Sequence, residues 1–233
     1  EGDVVEVVPF GGGLINATFL VRTKLEGGEE RKYILQRINH YIFKEVEKLM
    51  DNYCRVCDYL KDIVAKNNGD IDRETITVIN AKDGRSFTQD SEGNYWRAIK
   101  FIPDTITYET ISCEDDFYKA GKAFGNFQNM LADYNAELLY ESIPNFHNTK
   151  ERLKTFINAI KENKSGRKDK VVDEINFILE RQEQASSLVD MLERGELPLR
   201  VTHNDTKISN VLLDKDTKEA MNKCNGFDAL KCV

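Results

Sequence analysis

The apolar pattern changes period along this chain, and that change limits the folds open to it. Residues 4–8, 18–23, 32–37, 75–80, 85–88 and 95–102 are rich in β-branched and aromatic side chains and are separated by turn formers such as Gly11-Gly12-Gly13, Gly27-Gly28 and Asp83-Gly84. They read as successive antiparallel strands. One helix interrupts them over 41–66, with Ile42, Val46, Leu49, Tyr53, Val56, Leu60 and Ile63 on one side and Asn67-Asn68-Gly69 at its end. After Pro103-Asp104 the spacing becomes three-to-four. Phe117, Ala120, Phe124, Phe127, Leu131 and Tyr134 form one stripe over 115–134, Leu153, Phe156, Ile157 and Ile160 another behind a Thr149 cap, and 171–192 is expected to be a further helix. Strands gathered first and helices afterwards make an α+β chain. The expected division is a β-rich part with one long helix, residues 1–102, and a mainly helical part, residues 103–233.

Chemistry concentrates where the last helix hands over to a strand, in the loop 201–214. His203-x-Asp205-x-Lys207-x-x-Asn210 sets an Asp and an Asn five residues apart, the spacing of a phosphoryl-transfer loop. The Asp must reach an acceptor hydroxyl, while the Asn amide oxygen reaches a divalent metal on the phosphates. Asp205 is therefore the candidate base and Asn210 the candidate metal ligand. Lys207 can extend toward the transferring group and offset its charge, and His203 is expected to brace the loop. The same residues also make an ordinary polar turn between strands, and on this loop alone both readings stand.

Upstream features join the first reading. Gly11, Gly12 and Gly13 sit at a hairpin tip, where bare backbone N–H groups approach an anion closely. The strand 32–37 occupies the place where a phosphoryl-transfer fold carries its phosphate-holding cation, for which Arg37 is the candidate. Its neighbour Gln36 must face the other way, because side chains alternate along a strand. Glu45 or Glu47 on the helix could pair with Arg37. Phe101 and Ile102, just before the break at Pro103, would offer backbone groups to an adenine edge.

A net charge of -7 argues against a nucleic-acid surface, and no run is long and apolar enough to suggest a membrane helix. The start of the chain lacks the basic and apolar regions of a secretory signal, so a cytoplasmic location is expected. Five cysteines, an odd number, suit a reducing compartment. Cys54 and Cys57 form a CxxC inside the helix and are expected to be packed thiols rather than a metal site.

Four segments carry a resemblance: residues 10–19 around the glycines, Tyr33-Ile-Leu-Gln-Arg-Ile-Asn39, Ile143-Pro-Asn-Phe-His147, and Thr202 to Val211. Together they resemble the aminoglycoside phosphotransferase and choline kinase superfamily, and within it the N-acetylhexosamine 1-kinases. The resemblance extends to about Ala220. It implies a bilobal protein-kinase-like fold, ATP with Mg2+ as cofactors, and transfer of the γ-phosphoryl to a small-molecule acceptor, here the anomeric hydroxyl of an N-acetylated hexosamine. A catalytically impaired sugar- or nucleotide-binding relative and a choline or aminoglycoside kinase are the alternatives. Family members follow Leu212-Leu213 with a turn, an apolar strand and a metal-binding Asp. In residues 221–233 the sole carboxylate is Asp228, with no apolar strand expected before it. The second metal ligand is thus unassigned, the helical lobe is expected to be incomplete, and self-association through its uncovered apolar surface is expected.

Overall fold

The computed structural model describes residues 2–13, 15–224 and 231–232. Its first part is an antiparallel sheet of β1 (Asp3–Pro9), β2 (Ala17–Lys24), β3 (Glu30–Ile38), β4 (Val78–Ile79), β5 (Thr88–Gln89) and β6 (Tyr95–Lys100), in the order β1-β2-β3-β6-β4 with β5 also on β6. Helix α1 (Val46–Lys66) and the short α2 (Ile71–Glu74) lie between β3 and β4. The strand before Pro103 and the helix-rich remainder therefore fall as the periodicity requires.

Alternation on β3 fixes the sheet's two faces. Ile34 and Ile38 are buried on the face that meets α1. Register carries the same face outward through Val8, Leu20, Ile34, Ile99 and Val78, an apolar row that crosses the sheet. Helix α1 covers part of it with Val46, Leu49, Met50, Tyr53, Val56, Cys57, Leu60 and Val64, all buried. The helix begins later than its periodicity suggests, because residues 40–45 form turns that bury Phe43 and leave Tyr41 exposed.

Beyond Pro103, β7 (Thr105–Ile106) leads to α3 (Glu114–Met130), α4 (Thr149–Glu162), α5 (Val172–Leu179) and α6 (Gln182–Glu193). Two expectations shift here. Asn148, not Thr149, caps α4 by accepting the Glu151 amide. The single helix expected over 171–192 is two, because the Arg181 guanidinium takes the Phe177 carbonyl at 2.9 Å and packs 3.7 Å from its ring, while the Arg181 amide turns to Ile178 instead. Phe117, placed on the core stripe by periodicity, is exposed. The buried side of α3 is Asp116, Ala120, Ala123 and Phe127.

After α6 come β8 (Val201–Thr202), β9 (Val211–Asp214), β10 (Ala220–Cys224) and β11 (Lys231–Cys232). Here the structure corrects the sequence reading, since a strand does follow β9. β10 pairs antiparallel with β9, and Met221 packs on Ile102 and Leu212. Asp228 lies outside the described residues. Among the described residues no helix is long and apolar enough to cross a membrane.

Candidate active site

The loop between β8 and β9 is held from below. His203 is 1% exposed, edge-on to Phe124 at 5.2 Å and Phe127 at 5.6 Å between ring centroids, both on α3. Its Nδ1 accepts the Asp205 amide at 3.3 Å. Asn204 takes the left-handed conformation that Asn tolerates, φ 60°, which turns the chain tightly between the two. His203 thus braces Asp205 through the backbone, and its core position leaves it no role at the surface of the loop.

Asp205 and Asn210 meet directly. Asn210, 8% exposed, donates its Nδ2 to both the Asp205 carbonyl and carboxylate Oδ2, each at 2.8 Å. A short 3-10 turn, Ile208–Asn210, brings them together across the five-residue spacing. With its Nδ2 turned to Asp205, the amide retains Oδ1 as its acceptor atom. Lys207 Nζ stands 3.8 Å from Asp205 Oδ2, half exposed, so it shares the site as a mobile charge rather than a fixed bond. His147 arrives from the segment before α4 and places Nε2 3.2 Å from the Asn204 carbonyl. Among the described residues no three His, Cys, Asp or Glu side chains converge. A small divalent ion that keeps much of its water asks the protein for only one or two oxygens.

The glycine turn joins β1 to β2. Gly11 has φ +72°, a conformation L side chains rarely adopt, and a Cβ at Gly11 or Gly12 would meet nothing within 4 Å. The space over the turn is therefore open to a ligand. Gly13 is ordinary by comparison, its Cβ position lying 3.5 Å from the Asn16 carbonyl.

Several candidates are placed differently from the sequence reading. Arg37 is exposed and is the register partner of Ala17 and Trp96, on the face away from α1. Gln36 occupies the inner face, with Nε2 3.1 Å from Thr18 Oγ1. Glu45, a suggested partner for Arg37, pairs instead with Lys48 at 2.7 Å, and Glu47 is exposed. Phe101 gives its N–H to the Lys32 carbonyl at 3.2 Å, so its contribution is its ring, 6.0 Å from Phe10. Ile102 packs its side chain on Leu212 and Met221, and its carbonyl accepts the Thr105 hydroxyl.

Sequence reasoning passed over Arg97. It lies on β6 opposite Gln36, 3% exposed, and donates Nε to Gln36 Oε1 at 2.9 Å. Its own strand offered a signal, since Arg97 breaks an otherwise apolar run between Trp96 and Ala98.

A family profile described as "Phosphotransferase enzyme family" matches residues 6–221. The chain belongs to that family. Solved structures share the fold at low identity. A spectinomycin phosphotransferase, in complex with ADP and spectinomycin, matches at TM-score 0.51 and 14% identity over 97% of this chain and 64% of its own. An amicoumacin kinase, in complex with AMP-PNP, Ca2+ and Ami, matches at 0.53 and 10% over 98% and 60%. A Plasmodium vivax ethanolamine kinase matches at 0.52 and 14% over 98% and 57%. This family member thus spans under two thirds of the length of each, with the antiparallel sheet and following helices of a kinase-like α+β fold.

Proposed function

We propose that this chain is an ATP-dependent small-molecule phosphotransferase and that its acceptor is the anomeric hydroxyl of an N-acetylhexosamine. The observation that carries the reading is the Asp205–Asn210 pair, in which one amide fixes both the backbone and the carboxylate of the candidate base at 2.8 Å. ATP with Mg2+ would supply the γ-phosphoryl group and the cation that spreads its charge. Gly11 and Gly12 would lie over the phosphates, and Asn210 Oδ1 would provide a protein oxygen to the metal.

Each residue then has a definable task. Asp205 orients the acceptor hydroxyl and takes its proton at the carboxylate, which is partly exposed and so within a ligand's reach. Asn210 holds that carboxylate still, which matters because orientation supplies much of the rate in this chemistry. Lys207 stays long and mobile enough to follow the charge as it moves between groups. The ring of Phe101 and the cluster of Ile102 and Leu212 would flank an adenine with apolar surface. His147 places Nε2 3.2 Å from the carbonyl of Asn204, the residue before Asp205. The sugar preference is supported by the four sequence segments that resemble N-acetylhexosamine 1-kinases, one of which contains His147.

The test is ATP consumption by the purified chain with Mg2+ against N-acetylglucosamine, N-acetylgalactosamine, choline and kanamycin. Turnover that depends on an N-acetylhexosamine is expected. Asp205→Ala should lower it by about 10²–10⁴-fold while sparing ATP binding. Unchanged turnover in that variant would sink the assigned base. Nucleotide binding with no turnover on any acceptor would make the chain a binding scaffold instead.

A further inference from the structure

The sheet places one cation where the expected strand does not. β3 carries Gln36 toward α1 and Arg37 away from it, so the charge that faces the interior comes from the neighbouring strand. Arg97 is the register partner of Gln36. Its guanidinium carbon lies 4.2 Å from the centre of the Tyr53 ring on α1, and Nη1 stands 3.9 Å from Met50 Sδ. Neighbouring strands are about 4.8 Å apart, and the 2.9 Å bond from Arg97 Nε to Gln36 Oε1 brings the guanidinium back over β3. A continuous polar row results, Thr18–Gln36–Arg97, in which Gln36 donates to Thr18 and accepts from Arg97. This row begins beside the glycine turn, because the Phe10 amide, one residue before Gly11, bonds the Thr18 carbonyl at 2.9 Å.

Chemistry gives this placement a purpose. A charged side chain at 3% exposure is kept where it is paired and hydrogen-bonded, and Arg97 has partners of that kind inside the chain, Gln36 among them. Arginine's planar fork offers several donors in fixed geometry and matches phosphate oxygens two at a time. With Nε committed to Gln36 and the ring of Tyr53 beneath it, the guanidinium is held in one plane.

We propose that Arg97 is the phosphate-binding cation of this chain's nucleotide site. Gln36 acts as its positioning residue, and Arg37 takes no part. The proposal rests on the nucleotide reading given above. Its ligand class is a nucleoside di- or triphosphate, bound between the glycine turn and the β3–β6 row.

The experiment measures binding of Mg2+–ATP, ADP and adenosine by titration calorimetry to the unchanged chain and to Arg97→Met, Arg97→Lys, Gln36→Leu and Arg37→Ala. A charge-assisted bond to phosphate corresponds to about tenfold to a hundredfold in affinity. Arg97→Met is expected to weaken ATP and ADP by that factor and to leave adenosine within about threefold. Arg97→Lys should recover part of the loss, and Gln36→Leu should fall between. Arg37→Ala should change nothing beyond about twofold. Equal loss for adenosine and ATP would reduce Arg97 to a structural role and overturn the assignment, as would ATP binding retained in Arg97→Met or lost in Arg37→Ala. Should Arg97→Met fail to fold, the ATP-to-adenosine ratio in Arg97→Lys and Gln36→Leu decides, and an unchanged ratio in both refutes the proposal. No nucleotide binding by the unchanged chain would instead overturn the underlying functional reading.

Discussion

Replacing His203 by Ala separates the loop's support from its chemistry. The ring is 1% exposed and lies edge-on between Phe124 and Phe127, and its Nδ1 holds the Asp205 amide. Truncating a buried ring of this size costs about 3 kcal/mol in lost transfer and residual cavity. The two edge contacts add about 0.5–1.5 kcal/mol each, and an orphaned amide about 1–3 kcal/mol. These contributions overlap, so the expected destabilisation of His203→Ala is about 3–5 kcal/mol. His203→Phe keeps the ring and removes the acceptor, and should cost about 1–2 kcal/mol. Urea unfolding of the unchanged chain and both variants reads these as midpoint shifts at a common m-value. A loss below about 1 kcal/mol in the Ala variant, or equal losses in both, would refute the bracing argument. In the Phe variant the amide of Asp205 is released while the core remains, so turnover should fall further than stability does.

Two other perturbations test separate parts of the structure. Asn52, 1% exposed on α1, donates Nδ2 to the Tyr140 carbonyl at 2.7 Å and accepts the Tyr140 amide at 2.8 Å. Asn52→Ala should destabilise by about 2–4 kcal/mol by thermal or urea melts, because both backbone groups lose their partner, and a change within about 0.5 kcal/mol would show that water replaces it. Asp90 accepts the Trp96 indole N–H at 2.8 Å together with donors from Asn94, which holds its carboxyl down at about 2 against an ordinary 3.8. A depressed folded-state value gives stability that is present above about pH 4 and lost as pH falls toward 2. Asp90→Asn should flatten melting temperature against pH in that window, and a slope equal to the unchanged chain's would contradict it.

The parts of the fold that follow from period were legible in the residues. The antiparallel sheet comes first and the main helices afterwards, as the change of period requires, whereas the contact of Asn210 with Asp205 is not something their spacing states. What periodicity does not carry is face. Gln36 and Arg37 are neighbours, and burial of Ile34 and Ile38 beneath α1, a tertiary event, decides which looks inward. Arg97 was invisible for the same reason, because its role depends on a partner 61 residues away. β10 was missed because Met221 alone of its described side chains is buried and its pairing comes from the open edge of β9. The split between α5 and α6 turns on one guanidinium reaching back to Phe177, a competition that no apolar stripe records.

The bonds of Asn52 have a mechanical meaning. By sequence α1 belongs to the sheet, yet its directional attachment at Asn52 runs to the Tyr140 backbone in the helical region, and Tyr59 meets Tyr134 edge-on at 5.0 Å on the same side. Toward β3 and β6 it offers apolar packing, the Tyr53–Arg97 stack and the long Arg97 Nη1–Met50 Sδ contact at 3.9 Å, which tolerate sliding better than paired backbone hydrogen bonds do. Any rocking of the glycine turn toward Asp205 would therefore leave α1 with the helices and use its upper surface as a bearing under the strands. The Tyr53–Arg97 stack lies in that slip plane, so the cation would travel with the sheet while the helix beneath it stays in place.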